Sequence, residues 1–206
     1  MLAYNPFGLQ PVLSQTGPGV RPAPYQGSIA SGAAFNVFQN APVQIDAATP
    51  SGNLILATAL GAAAAGAAAN RIIGSFQGVE FTLTATGRRT VSNYWPTGTV
   101  ATNIVAWYTR DPWLTYKIQA NGSVAAANLG GQASITTNGS ANGNTTTGFS
   151  TVGLDVTTGS SLTQSSTNQL RIVGFDQDPN NAPGDAFTIV HVQISMHQDV
   201  ANQVAY

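Results

Sequence analysis

Cysteine is absent from this chain, which excludes disulfides and thiolate metal sites and leaves the redox compartment open. Charge is nearly absent as well. Only 7% of the 206 residues are charged and the net charge is −1, against about 25% charged in an ordinary soluble domain. So few basic groups exclude nucleic acid as a partner, because its phosphates would have to be neutralised. A long hydrophobic run is also missing. Leu54 to Ala69 is mostly alanine and glycine, too short and too weakly apolar to cross a bilayer. No basic-then-apolar amino terminus marks a secretory signal. The expectation is a soluble chain with no membrane partner.

What is present is concentrated between Gly78 and Ala120. This stretch holds all three tryptophans, three of the six tyrosines and four of the seven basic residues. Val79, Phe81 and Leu83 alternate with polar neighbours, the period of a half-buried strand. Thr86-Gly87 signals a turn, and Arg88 to Val91 resumes an extended pattern. Pro96 to Gly98 forces a loop. Ile104 to Tyr108 and Leu114 to Ile118 read as two further strands, separated by Asp111-Pro112. A segment so rich in β-branched and aromatic residues belongs in a sheet and must supply much of the core.

Upstream, Met1 to Pro24 carries five prolines and three glycines, which rules out helix and the interior of a sheet. Tyr4, Phe7, Leu9 and Val12 are apolar anchors that a solvated tail would lack, and Tyr4, Pro6, Phe7 and Leu9, with Arg88, Arg89, Tyr94 and Trp95, are the residues expected at an interface. The segment reads as an extended arm over residues 1–26. It lies either on a neighbouring subunit or on its own domain, and its loss is expected to leave the rest folded. Residues 27–206 read as one β-rich domain. Strands are expected around Ala34 to Phe38, Val43 to Ile45, Leu54 to Leu60 and Arg71 to Phe76, with a loop or short helix over Gly61 to Asn70. Asn121-Gly122 predicts a hairpin returning through Ser123 to Ala127. Residues 130–166 are a turn-rich insertion or a set of edge strands, near Ala133 to Thr136, Gly148 to Leu154 and Ser160 to Leu162. Leu170 to Gly174 alternates, and Phe187 to His197 reads as the longest strand. The total is about ten strands with almost no amphipathic helix, an all-β barrel or sandwich of jelly-roll-like kind.

Chemistry finds little foothold. His191 and His197 are the only histidines, six residues apart on one expected outward face; at about 3.3 Å per residue they stand about 20 Å apart, too far to share a metal. Asp176, Asp178 and Asn180 begin like a calcium loop, but Asn181 replaces the required glycine and Phe187 the closing glutamate. Glu80 is the only glutamate, so a paired-carboxylate glycosidase lacks its partner. Ser150 sits outside a nucleophile-elbow spacing. No catalytic residue, cofactor or metal is expected.

Low charge points elsewhere. A surface of Ser, Thr, Asn, Gln and Ala is easily desolvated, since no ion must lose its water. It suits burial against other protein. Arg88 and Arg89, beside Tyr94 and Trp95, fit three readings: stacking with carboxylate binding, pairing with Glu80 or Asp111, or contact with another subunit.

Four segments carry a resemblance. They are NPFGLQPV (Asn5 to Val12), GVEF followed by TGRRTVSNYWPTGT (Gly78 to Thr99), DPWLTYKIQANGSV (Asp111 to Val124) and LRIVGFDQDPNNAPGDAFTIVHVQISMHQ (Leu170 to Gln198). These resemble the decoration, cement or minor head proteins of tailed bacteriophages. The likeness runs over most of the chain and is weakest in Ala57 to Asn70 and Gly130 to Ser166. It implies a β-rich protein on the outside of an icosahedral head, assembled in the host bacterial cytoplasm. The implied partners are the major capsid protein and two further copies of itself, a homotrimer. It implies no cofactor. A tail or fibre component that binds a host glycan is the alternative, and exposed Trp95, Trp107 or Trp113 in a groove would favour it.

Overall fold

The computed structural model describes residues 3–14, 24–46, 52–57, 71–157, 162 and 168–200. Twelve strands run through them: β1 (Gln10–Ser14), β2 (Tyr25–Gly27), β3 (Pro42–Ile45), β4 (Leu54–Leu56), β5 (Gly74–Leu83) and β6 (Arg89–Ser92) in the first half. The second half adds β7 (Ala101–Tyr108), β8 (Leu114–Gln119), β9 (Gln132–Ile135), β10 (Leu154–Asp155), β11 (Leu170–Phe175) and β12 (Ile189–Ile194). They form two antiparallel sheets, so the fold is all-β. One sheet has the order β1-β8-β12-β11-β9-β10, and the other β2-β7-β5-β3-β4 with β6 on β5. Apart from β1, the first sheet comes from the second half of the chain. The second sheet comes from residues 25–108.

Each sheet buries one face on its own apolar cluster. Tyr116, Ile118, Val190, Val192 and Ile172 fill the first, and Phe76, Val79, Phe81, Trp95 and Tyr108 fill the second. Ile72 belongs to the first cluster and the next residue, Ile73, to the second. Successive side chains of an extended chain point to opposite sides, so this short approach to β5 serves both cores.

A buried polar seam ties the halves together. The Ser75 amide donates to Thr109 Oγ1 at 2.8 Å, and Thr109 Oγ1 is 2.8 Å from the Tyr116 hydroxyl. Tyr116 is fully buried, which drives its phenol pKa up and keeps it a neutral hydrogen-bonding group. The crossing is close enough to require glycine: a Cβ on Gly74 would lie 1.7 Å from the Thr109 carbonyl oxygen.

Residues 3–14 follow the second of the two readings of the arm. Leu9 is fully buried in the first core, and β1 adds an edge strand to β8. The Leu9 amide donates to the Asn40 carbonyl at 2.7 Å and the Gly8 amide to Val152 at 3.1 Å. The Gln119 side chain clamps the backbone of Ala3 and Asn5. Removing this segment would take the Leu9 side chain out of the first core. Residues 15–23 lie outside the described set.

Several local expectations also change. Ala34 to Phe38 is not a strand. It makes a single bridge, Val37 to Trp95. The Asn36 side chain bonds Ser140 and the Thr97 amide, which bends the chain out of any ladder. The hairpin after β8 is absent. Asn121 ties to Asp155 and the Val156 amide, the Val124 amide donates to Thr188, and residues 126–128 form a 3-10 turn. The expected strand from Phe187 to His197 is confined to Ile189–Ile194, because the Ser195 amide turns to the Gln169 carbonyl. The longest strand is β5, with ten residues. In residues 130–166, β10 is the edge strand expected, while β9 lies inside the first sheet between β11 and β10. Ser160 and Gly61 to Asn70 lie outside the described residues.

Candidate functional site

The two outward sheet faces differ in what they offer. On the first sheet, Lys117 of β8 stands directly across from His191 of β12, and His191 across from Gly174 of β11. Asp176, on the loop after β11, lies over this row. Its carboxylate is 2.8 Å from Lys117 Nζ and 3.3 Å from His191 Nε2. Gly174, Asp176, Asp178, Pro179 and His191 line a shallow depression there. The loop is pinned by buried Asn181, which donates to the carbonyls of Asp176 and Ile189 and accepts the Ile189 amide. Asp178 spends an oxygen on the Asn180 amide. The residues that look like a calcium loop thus close a turn, with Asn181 as its staple. Among the described residues no group of three or more His, Cys, Asp or Glu is placed to hold a metal.

The outward face of the second sheet is flatter in charge. Glu80 of β5 lies across from Val91 of β6 on one side and Val105 of β7 on the other. Two residues along, Gly78 faces Trp107, which also meets Gln26 of β2. In the other direction Thr82 lies between Arg89 and Thr102. Side chains directly opposite in a ladder share a face, so these residues form one surface. Val91 is 70% exposed, while Val105 and Trp107 are half-buried. Arg89 reaches diagonally to Glu80 and forms the ion pair of this surface. An exposed valine, a half-buried indole and threonines around a neutralised charge pair make a face that sheds water at little cost. The pattern could have been seen in the alternation of Glu80, Thr82 and Val91. Which residues meet depends on register, which alternation does not fix.

The eight residues expected at an interface divide. Tyr4 is 42% exposed and packs on Phe187 with ring centres 5.4 Å apart. Pro6 and Phe7 are half-buried, and Arg88 is exposed. Arg89 takes the second of its three readings and pairs with Glu80. Tyr94 stacks on Phe38 at 5.7 Å. Leu9 and Trp95 are corrections, since both are fully buried in the chain's own cores. Trp95 packs edge-on against Phe81 at 5.2 Å, and its indole nitrogen has no hydrogen-bond partner. Trp113 is 50% exposed, and it is the only tryptophan presented to solvent in this way. His197, expected on an outward face, is a further correction: it lies past the end of β12 and is 3% exposed.

No protein-family model, curated protein or solved structure matches this chain. No helix among the described residues is long and apolar enough to cross a membrane.

Proposed function

We propose that this chain is a structural virion protein that decorates and stabilises a tailed-bacteriophage capsid by bridging neighbouring capsid subunits. The observation that carries this reading is the low-charge outward face of the second sheet, Val91, Val105, Trp107, Thr82 and Thr102 around one ion pair. The overall scarcity of charge and the resemblance of four long segments to head-decoration proteins support it. The face lies on the shell, and the protein acts by mass action: binding only the assembled head lowers the free energy of that state. Repetition over a symmetric surface multiplies a modest single-site affinity through effective concentration. On this reading the chain is a homotrimer, its partner is the major capsid protein, it sits on the capsid exterior, and it performs no catalysis.

The test is attachment to purified heads. Val91→Lys and Val105→Lys add charge to the face, on either side of Glu80, without entering either core. Co-sedimentation should fall at least tenfold while circular dichroism and thermal melting stay unchanged. Heads that saturate equally with the variants would exclude this face. Monomeric sedimentation at high concentration would remove the trimer.

A further inference from the structure

We propose that residues 196–199 form an acid-released strap across the two sheets, opened by protonation of the His197 ring. The inference stands apart from the capsid reading and needs only the folded chain.

The strap leaves the end of β12 in the first sheet and runs parallel to the segment before β5. The Ile72 amide donates to the Met196 carbonyl at 3.0 Å, and the Gln198 amide donates to the Ile72 carbonyl at 3.1 Å. The Gln198 side chain then mimics a strand neighbour for β3 of the second sheet. It accepts the Ile45 amide and donates to the Ile45 carbonyl, both at 2.8 Å. Asp199 closes the strap on the link between β7 and β8, where Arg110 Nε donates to it at 2.6 Å and Nη2 at 3.2 Å. Four successive residues therefore hold both sheets and the link between them.

His197 is at the centre of this span. Its Nδ1 accepts the Asp199 amide at 3.2 Å, so the neutral ring carries its proton on Nε2. That Nε2 is buried without a hydrogen-bond partner. A second proton must go to Nδ1. It would abolish the acceptor that holds Asp199 and leave a buried cation in its place. The charged groups around the ring oppose one another. Burial disfavours the cation most; Asp199 and backbone hydrogen bonding to Ile73 and Arg110 favour it, the Arg110 charge disfavours it, and the net effect is a lowered pKa. Tyr108 and Asp111 flank Arg110 on the link, and Arg71 precedes Ile72 on the paired segment. A group whose pKa falls on folding contributes stability above its unfolded value and loses it as pH drops. The strap is therefore closed near neutral pH and opens below the ordinary histidine value of about 6.5.

Amide hydrogen exchange of the full chain between pH 7.5 and 5 tests this. Opening of Ile72 and of residues 197–199, corrected for intrinsic rates, should rise as pH falls below about 6.5, by at most about tenfold per pH unit. Val192 and Phe76, in the sheets, should keep their protection. His197→Gln keeps an acceptor for the Asp199 amide but cannot be charged, so its profile should be flat. A flat wild-type profile, an unchanged rise in His197→Gln, or loss of Val192 protection in step with the strap would overturn the proposal. If the variant does not fold, ring titration of the wild type by NMR decides, with His191 as the second imidazole. His197 should titrate below the ordinary value and in step with strap exchange. Titration at the ordinary value with the strap still protected would refute it.

Discussion

The two halves share an architecture and fill it differently. The second sheet buries Phe76, Phe81, Trp95 and Tyr108, whereas among the described residues the first buries mainly Leu, Ile and Val, with Tyr116 as its one buried aromatic and Phe175 packed partly against it. Edge strands β2 and β4 of the second sheet have three residues each. So short a strand presents few inward positions, and large rings supply area that its length does not. The first sheet runs six strands in one row and reaches closure with branched aliphatic side chains. Aromatic filling concentrates stability in few residues; aliphatic filling spreads it. Single truncations should therefore cost more in the core of the second sheet.

Trp95→Ala is the strongest way to test that difference. It removes a fully buried ring from between β5 and the Val37 bridge, and the cavity should cost about 4 kcal/mol, measured by urea unfolding. Because the indole nitrogen makes no hydrogen bond, Trp95→Phe should recover most of that loss. Leu9→Ala is the matching test in the core of the first sheet. It truncates a fully buried side chain on the N-terminal segment and should cost about 3 kcal/mol. A cost within about 0.5 kcal/mol would mean that residues 3–14 do not lie on their own domain in solution.

Tyr116→Phe addresses the seam between the halves. It deletes the hydroxyl that meets Thr109 but leaves the Ser75 amide bonded to Thr109. The loss should be about 1 to 1.5 kcal/mol, the range for one buried hydrogen bond. The informative readout is cooperativity. If the seam couples the halves, fluorescence of the tryptophans and exchange of Val190 and Val192 still report one transition. Two separate transitions would show that the cores unfold independently.

Regular alternation made much of this fold legible. Val79, Phe81 and Leu83 announced β5, and Leu170 to Gly174 announced β11, because one face of each is buried and the other is not. Ala34 to Phe38 misled, since apolar residues there enter the core from a bend held by Asn36. Asn138 and Asn181 are similar. Asn138 donates to the carbonyls of Pro42 and Ala57 from far along the chain. A buried amide that replaces a strand partner leaves no periodic trace and looks like any turn residue. The candidate face was half legible. Arg89 with Glu80 was among the readings, but Val91 and Trp107 join them only through cross-strand register. Trp95 looked like an anchor for a partner because sequence gives no sign of which aromatic faces inward.

The outward faces extend the comparison to its smallest expected effects. Asp176 pairs with Lys117 and also meets the His191 ring, and its side chain is only 18% exposed. Glu80 pairs with Arg89, whose side chain is 74% exposed. Solvent screens the second pair far more, so Glu80→Gln should change stability by less than about 0.5 kcal/mol. Asp176→Asn should cost about 1 kcal/mol, since it leaves half-buried Lys117 without a counter-charge. Raising salt should narrow the gap by screening the Lys117–Asp176 attraction that Asp176→Asn removes. Equal costs at low salt would mean that the first sheet's charge row is as solvated as the second sheet's single pair. The contrast between a charged face and a face suited to contact would then fail.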